Sequence, residues 1–252
     1  MIVHTCLIED QKTEGQDVKK EDQEVAAKNL FVVCVDNYQP DLCVWTIPTL
    51  KNYADKIGAK FNLITERKFP DWPPSYEKMQ VHELGKHAHW NILVDADFLL
   101  HPDLPDFTTM LDPTAIGVHY GFAANQYFKP NKYFIRDGRN QGLAGNFIMT
   151  SSLTHDLWTP LEISKEDALS QFKNPMQVDE FTLSRNLAKF GLKFSGVEFN
   201  KQIAEMMIHV GNQNKSDEQI AQSISLAKHK HLVWLRGAHE ISSSNTQAQQ
   251  NA

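Results

Sequence analysis

Long apolar runs are missing from this sequence. No stretch of roughly 18 or more apolar residues occurs, so nothing in it reads as a membrane-spanning helix. The N-terminal segment, MIVHTCLIEDQKTEGQDVKKEDQE, has no basic region followed by a long apolar one and does not read as a secretory signal. Cysteine is scarce: Cys6, Cys34 and Cys43 are the three, at spacings unlike those of metal-binding thiolates. Cys34 lies inside an apolar run and reads as a small core residue, which points to a reducing compartment and a cytoplasmic location. A basic excess is missing too. Lys+Arg total 25 against 31 Asp+Glu, a net charge of −6 with a pI near 6.0. That balance excludes nucleic-acid binding by bulk charge. An anionic ligand would need local help, from a metal ion or a few placed cations.

What is present suffices for an ordinary folded core. The chain has 252 residues, 41% of them hydrophobic and 22% charged. A chain of this length can bury roughly 70–75% of its extended surface without disulfides. Residues 1–29 read as a short strand (Ile2–Ile8) followed by a charged linker, and 239–252 as a disordered polar tail. Between them, 30–238 shows no internal repeat and no linker, and reads as one α/β domain.

The domain opens on Leu30–Asp36, a continuous apolar run of strand length that ends in an acid. Pro48–Ile57 reads as a helix with Gly58 as its stop, and Lys60–Thr65 as a second strand. The turn chemistry of PDWPPS places Ser75 to cap a helix over Tyr76–His87. Trp90–Val94 is a third buried strand, running straight into Asp95-Ala96-Asp97. Strand, helix, strand, helix, strand implies parallel pairing, with ligands beyond the carboxyl ends of the strands, where Asp36 and Asp95 fall. Further strands are expected at Ala115–His119, Leu143–Thr150, Lys193–Val197 and Met206–His209. Helices are expected at Ser152–Leu157, Lys165–Phe172, Val178–Phe190 and Ser216–Lys228. A polar aromatic loop, Asn125–Gln141, carries Arg136 and Arg139.

Two acids one residue apart at a strand end direct oxygens toward one point if the backbone turns there. Uncompensated, they repel; a divalent cation removes the conflict, and hard oxygen ligands suit Mg²⁺ or Mn²⁺. The plain alternative is a turn acid beside an exposed strand end.

The segment YEKMQVHELGKHAHWNILVDADFLLHPDL resembles the core of nucleotide-sugar-dependent glycosyltransferases with the GT-A fold. GLAGNFIMTS, VDEFTLSRNL and MMIHVG resemble further segments of that family in order and spacing, and the likeness covers roughly 30–212. It implies a single-domain, Rossmann-like, mostly parallel sheet flanked by helices. It also implies a metal held by Asp95, Asp97 and His209, and a donor contacted by Asp36, Lys78, Asp95 and Asn146, with Gly145 allowing close backbone approach. Asp179 or Glu180 would serve the acceptor or the transferred sugar. The donor would be a nucleoside-diphosphate sugar, UDP-linked in preference to GDP-linked, and the acceptor hydroxyl would belong to a glycan or a small molecule. Each residue keeps a plainer reading: Asp36 a turn acid, Lys78 a solvated lysine, His209 a strand-end histidine, Asp179 and Glu180 dipole-favoured acids at a helix start. Trp72, Tyr120, Tyr127 and Tyr133 could stack on sugars or simply pack. A haloacid-dehalogenase-like phosphatase also uses a strand followed by Asp-x-Asp. Here the motif follows two βα units, however, and no later Asp-Asp pair appears. A non-catalytic nucleotide- or sugar-binding domain of the same fold is the other alternative.

Overall fold

The computed structural model describes residues 27–118, 143, 145–172, 174–196, 206–211 and 216–250, with backbone only for 194–196 and 235–250. The expected strand at Ile2–Ile8, most of the linker, Cys6 and the loop with Arg136 and Arg139 lie outside the described residues. So do Tyr120, Tyr127 and Tyr133.

A six-stranded sheet carries the fold. It is built from β1 (Lys28–Val33), β2 (Lys60–Ile64), β3 (Trp90–Val94), β5 (Ala115–Val118), β6 (Phe147–Ser151) and β7 (Lys193–Gly196), in the order β2-β1-β3-β6-β5-β7. Pairing is parallel for β1 with β2, β1 with β3 and β5 with β7. Strand β6 runs antiparallel to both neighbours. The short strands β4 (Phe98–Leu100) and β8 (Met207–His209) form a separate antiparallel pair.

The continuous apolar runs feed two cores because successive side chains leave a strand on opposite faces. Leu30, Val32, Ile92, Val94, Phe147 and Met149 pack on one face with Tyr53 of helix α1 (Pro40–Lys56). Phe31, Leu93 and Ile148 pack on the other, with Trp158 and with Phe181 of helix α4 (Val178–Lys189). Helices α2 (Val81–Leu84) and α3 (Lys165–Leu169) are short. The last, α5 (Asp217–Gln250), packs Ala227 and Ile224 beside Leu42, Leu99 and Val210.

Several boundaries differ from the sequence reading. Helix α1 begins at Pro40, with Pro48 inside it, because a proline at the first helical position needs no N–H. Pro48 removes one helical hydrogen bond, opposite Val44, which is exposed. Ser75 does not cap a helix: its hydroxyl is buried without a partner among the described residues, and Pro73 holds the cap position. Pro74–Gln80 is a 3₁₀ segment before α2, not part of one α-helix to His87. Residues 239–250, expected as an unstructured tail, continue α5, since no proline follows Asp217 to stop it.

Candidate metal and donor site

The carboxyl end of β3 is the centre of the site. After Val94 the chain turns, Phe98 N–H donating to the Asp95 carbonyl (3.1 Å), and re-enters as β4. Thr46 of α1 pins the turn by donating to the Ala96 carbonyl (2.5 Å). Asp95 is half-buried and Asp97 is 4% exposed.

Pairing of β4 with β8 places Phe98 opposite His209, and the rings stack at 4.7 Å. Val210 N–H donates to the Asp97 carbonyl (3.0 Å). His209 Nε2 then lies 3.1 Å from Asp97 Oδ1, and this buried oxygen has no other polar partner among the described residues. The other oxygen, Oδ2, accepts from the Tyr38 hydroxyl (2.9 Å). Ligand atoms of Asp95, Asp97 and His209 all lie within 4.8 Å of one another.

These groups set one another's charge. Burial works against an ionised Asp97, but His209 and the Tyr38 hydroxyl outweigh it and hold the carboxyl below its usual range. Burial also opposes charge on His209, and Asp97 reverses this, raising the imidazole above its ordinary value. Asp95 moves the other way, raised first by burial and further by the Asp97 charge. Two hard oxygens and an imidazole, close enough to share one ion, form a donor set that fits a divalent cation.

A second cation site is already filled by protein. Lys78 is 7% exposed, and its Nζ stands 2.6 Å from Asp95 Oδ1 and 2.7 Å from Asp179 Oδ2. It also donates to the Gly145 carbonyl at 2.7 Å. Burial alone would lower its pKa; Asp179 and Asp95 outweigh burial and raise it. The 3₁₀ geometry matters here, because side chains three apart eclipse and both Ser75 and Lys78 face the cleft. Asp179 sits at the start of α4, where the dipole favours an acid. Gly145 lets the start of α4 approach closely: a Cβ there would fall 2.5 Å from Asp179 Oδ2.

The remaining candidates are placed as follows. Glu180 is half-buried, and burial, then Asp179, push its carboxyl up to about 8. The Asn146 carbonyl accepts from Asp95 N–H (2.9 Å), while its side-chain oxygen is buried with no partner among the described residues. Asp36 stands apart from the acid cluster. It takes a left-handed backbone (φ 54) and pairs with Arg67 (2.6 Å), which also holds buried Glu77 (2.7 Å). Trp72 stacks on Tyr76 at 4.2 Å, a packing role. Tyr38 and Arg67 were not evident from the sequence, whereas Gly211 closes the MMIHVG segment already noted there. The cleft is lined by Val33, Val35, Tyr38, Pro74, Ser75, Lys78, Asp95, Ala96, Asp97 and Met176.

No protein-family model and no curated protein sequence matches this chain. Solved structures do. A glycosyltransferase involved in glycosylation of the major capsid of PBCV-1 superposes with a TM-score of 0.50 at 6% identity, covering 81% of this chain and 99% of its own. The galactosyltransferase LgtC, solved with donor and acceptor sugar analogues, gives 0.48 at 12% identity over 80% and 95%. A Drosophila beta-1,4-galactosyltransferase 7, solved with manganese, UDP-Gal and xylobiose, gives 0.42 at 12% over 78% and 79%. The capsid-modifying enzyme shows the fold, and the present chain has the same GT-A architecture.

Proposed function

We propose that this protein is a glycosyltransferase that moves a sugar from a nucleoside-diphosphate donor, UDP-linked in preference to GDP-linked, to a hydroxyl of a glycan or small-molecule acceptor. One observation carries the reading: ligand atoms of Asp95, Asp97 and His209 converge beyond the carboxyl end of β3, with the buried Asp97 Oδ1 facing the His209 imidazole. Ligands of parallel α/β sheets bind at that edge. The site supplies what an acidic chain otherwise lacks for an anionic donor.

Mn²⁺ or Mg²⁺ would be held by Asp95, Asp97 and His209, and when bound it supplies a Lewis acid that stabilises the leaving diphosphate. The protein residues do the rest. Tyr38 fixes Asp97 Oδ2, leaving Oδ1 for the cation. Lys78 neutralises Asp95 and Asp179 together, so three carboxyl groups, with Glu180, can crowd one cleft without mutual repulsion. Its ammonium also offers positive charge beside the donor. Asn146 has a side-chain oxygen without a partner among the described residues, an acceptor suited to a sugar hydroxyl. In the transfer, the anomeric C–O bond to the diphosphate breaks and a bond to the acceptor oxygen forms, the hydroxyl proton passing to the released diphosphate or to solvent. Asp179, already ion-paired, is the carboxylate suited to orient the sugar or the acceptor, whereas burial and the Asp179 charge push Glu180 up to about 8, toward its neutral form.

No helix among the described residues is long and apolar enough to cross a membrane, and the proposed setting is the cytoplasm. The testing experiment is a hydrolysis screen of UDP- and GDP-sugars with Mn²⁺ and no acceptor. Metal-dependent release of nucleotide from at least one donor is expected, and its absence for all of them would refute the reading.

A further inference from the structure

Cys34 and Cys43 are both free thiols. Cys34 follows β1 directly, and Cys43 stands in the first turn of α1. The connecting loop folds back until the two sulfurs are 3.9 Å apart. Both thiols donate to the Tyr38 carbonyl, Cys43 at 3.2 Å and Cys34 at 3.9 Å. The bend is enforced by Asp36, Asn37 and Gln39, whose φ values of 54, 54 and 37 fall where L residues seldom go. Nothing in the proposed transfer uses these sulfurs. They line a surface depression together with Pro40, Val44 and Ile47; Cys34 is partly exposed there, the sulfur a small oxidant would meet first, while Cys43 is 6% exposed behind it. Hydrogen bonding between the two sulfurs brings the Cys34 thiol down to about 7 against the pull of burial, which favours its thiolate form.

We propose that Cys34 and Cys43 form a reversible disulfide that acts as a redox-sensitive clamp on the loop carrying Tyr38. The oxidant is a hydroperoxide. The Cys34 thiolate attacks its terminal oxygen, giving a sulfenic acid and releasing the alcohol or water. The Cys43 sulfur then attacks the Cys34 sulfur, the S–S bond forms, and the sulfenic oxygen leaves as water with the Cys43 proton. Two thiols are oxidised by two electrons and one hydroperoxide is reduced. The sulfurs must close by about 1.9 Å to reach bonding distance, a movement the short loop has to absorb. Oxidation also strips the Tyr38 carbonyl of both S–H donors, while the Tyr38 hydroxyl is the donor that fixes Asp97 (2.9 Å). Oxidised protein therefore holds a divalent cation less tightly. Formation of the bond is independent of the function proposed above; its effect on the cation rests on that reading.

The test treats the purified protein with hydrogen peroxide and follows intact mass, tryptic peptides and Mn²⁺ binding by calorimetry. One tryptic peptide, residues 29–51, contains both cysteines and no internal Lys or Arg. It is expected to lose about 2 Da, restored by dithiothreitol, and to lose none in Cys34→Ser or Cys43→Ser. Mn²⁺ affinity is expected to fall by roughly ten-fold on oxidation, the scale seen when an outer partner of a metal ligand is disturbed, and to recover on reduction. A peptide that gains oxygen, stays unchanged or crosslinks to Cys6 would overturn the disulfide. A disulfide that forms without altering Mn²⁺ affinity would overturn the clamp. If reduced protein binds no Mn²⁺ while the peptide still loses about 2 Da, the metal reading fails, and the clamp with it, but the disulfide stands.

Discussion

Gly211 lies so close over Asp97 that a Cβ built on it would stand 1.6 Å from Asp97 Oδ2. The chain after β8 thus roofs the acid that Tyr38 holds from the other side, and only glycine leaves room. Gly211→Ala is expected to push Asp97 off its position, abolishing Mn²⁺ binding by calorimetry while costing about 1–3 kcal/mol in urea unfolding. Unchanged Mn²⁺ affinity in this variant would show that the placement of Asp97 is not critical.

Tyr38→Phe removes the hydrogen bond from Tyr38 to Asp97 Oδ2 with little change of volume. Roughly ten-fold weaker Mn²⁺ binding is expected, with a melting temperature close to that of the parent protein. A variant that binds as tightly as the parent would remove Tyr38 from the site.

Lys78→Met strands Asp95 and Asp179 in a buried site without their counter-charge. Breaking such a pair costs roughly 3–5 kcal/mol, so urea unfolding should show a loss of that order, partly recovered in Lys78→Met with Asp179→Asn. A small loss would mean that the carboxylates are better solvated than their burial indicates.

Glu180 sets a pH dependence with a definite sign. Its folded carboxyl titrates at about 8, above an unfolded value near 4.5, so between these limits the folded state binds more protons. This group's contribution is fully present below about 4.5 and is lost as pH rises through 8. Stability of Glu180→Gln relative to the parent should therefore climb across that window and level off above it. A flat difference from pH 5 to 9, read by urea unfolding at about one-unit steps, would contradict the burial of this carboxyl.

Much of the scaffold was legible because the apolar runs at β1, β3 and β6 feed two cores and leave little else for those segments to be. Asp95 and Asp97 stood out because a motif one residue apart at a strand end is a local pattern. His209 was reachable through its position near the end of an ordered series of weaker motifs. The rest depends on pairings distant in sequence. Tyr38 meets Asp97 across 59 positions, and Lys78 meets Asp179 across 101. No local periodicity records such contacts. The start of α1 was missed because Pro48 was read as a boundary, when Pro40 already supplied one. The 3₁₀ form of Pro74–Gln80, which turns Lys78 into the cleft, likewise has no signature beyond its prolines.

The central claim is that Asp95, Asp97 and His209 join a divalent cation to a nucleoside diphosphate. Titration of UDP and GDP into the protein by calorimetry, with and without Mn²⁺, for the parent and Asp97→Asn, tests it most directly. Binding of at least one nucleotide that requires Mn²⁺ and disappears in Asp97→Asn is the expected result. Binding that ignores the metal, or survives Asp97→Asn unchanged, would contradict the claim.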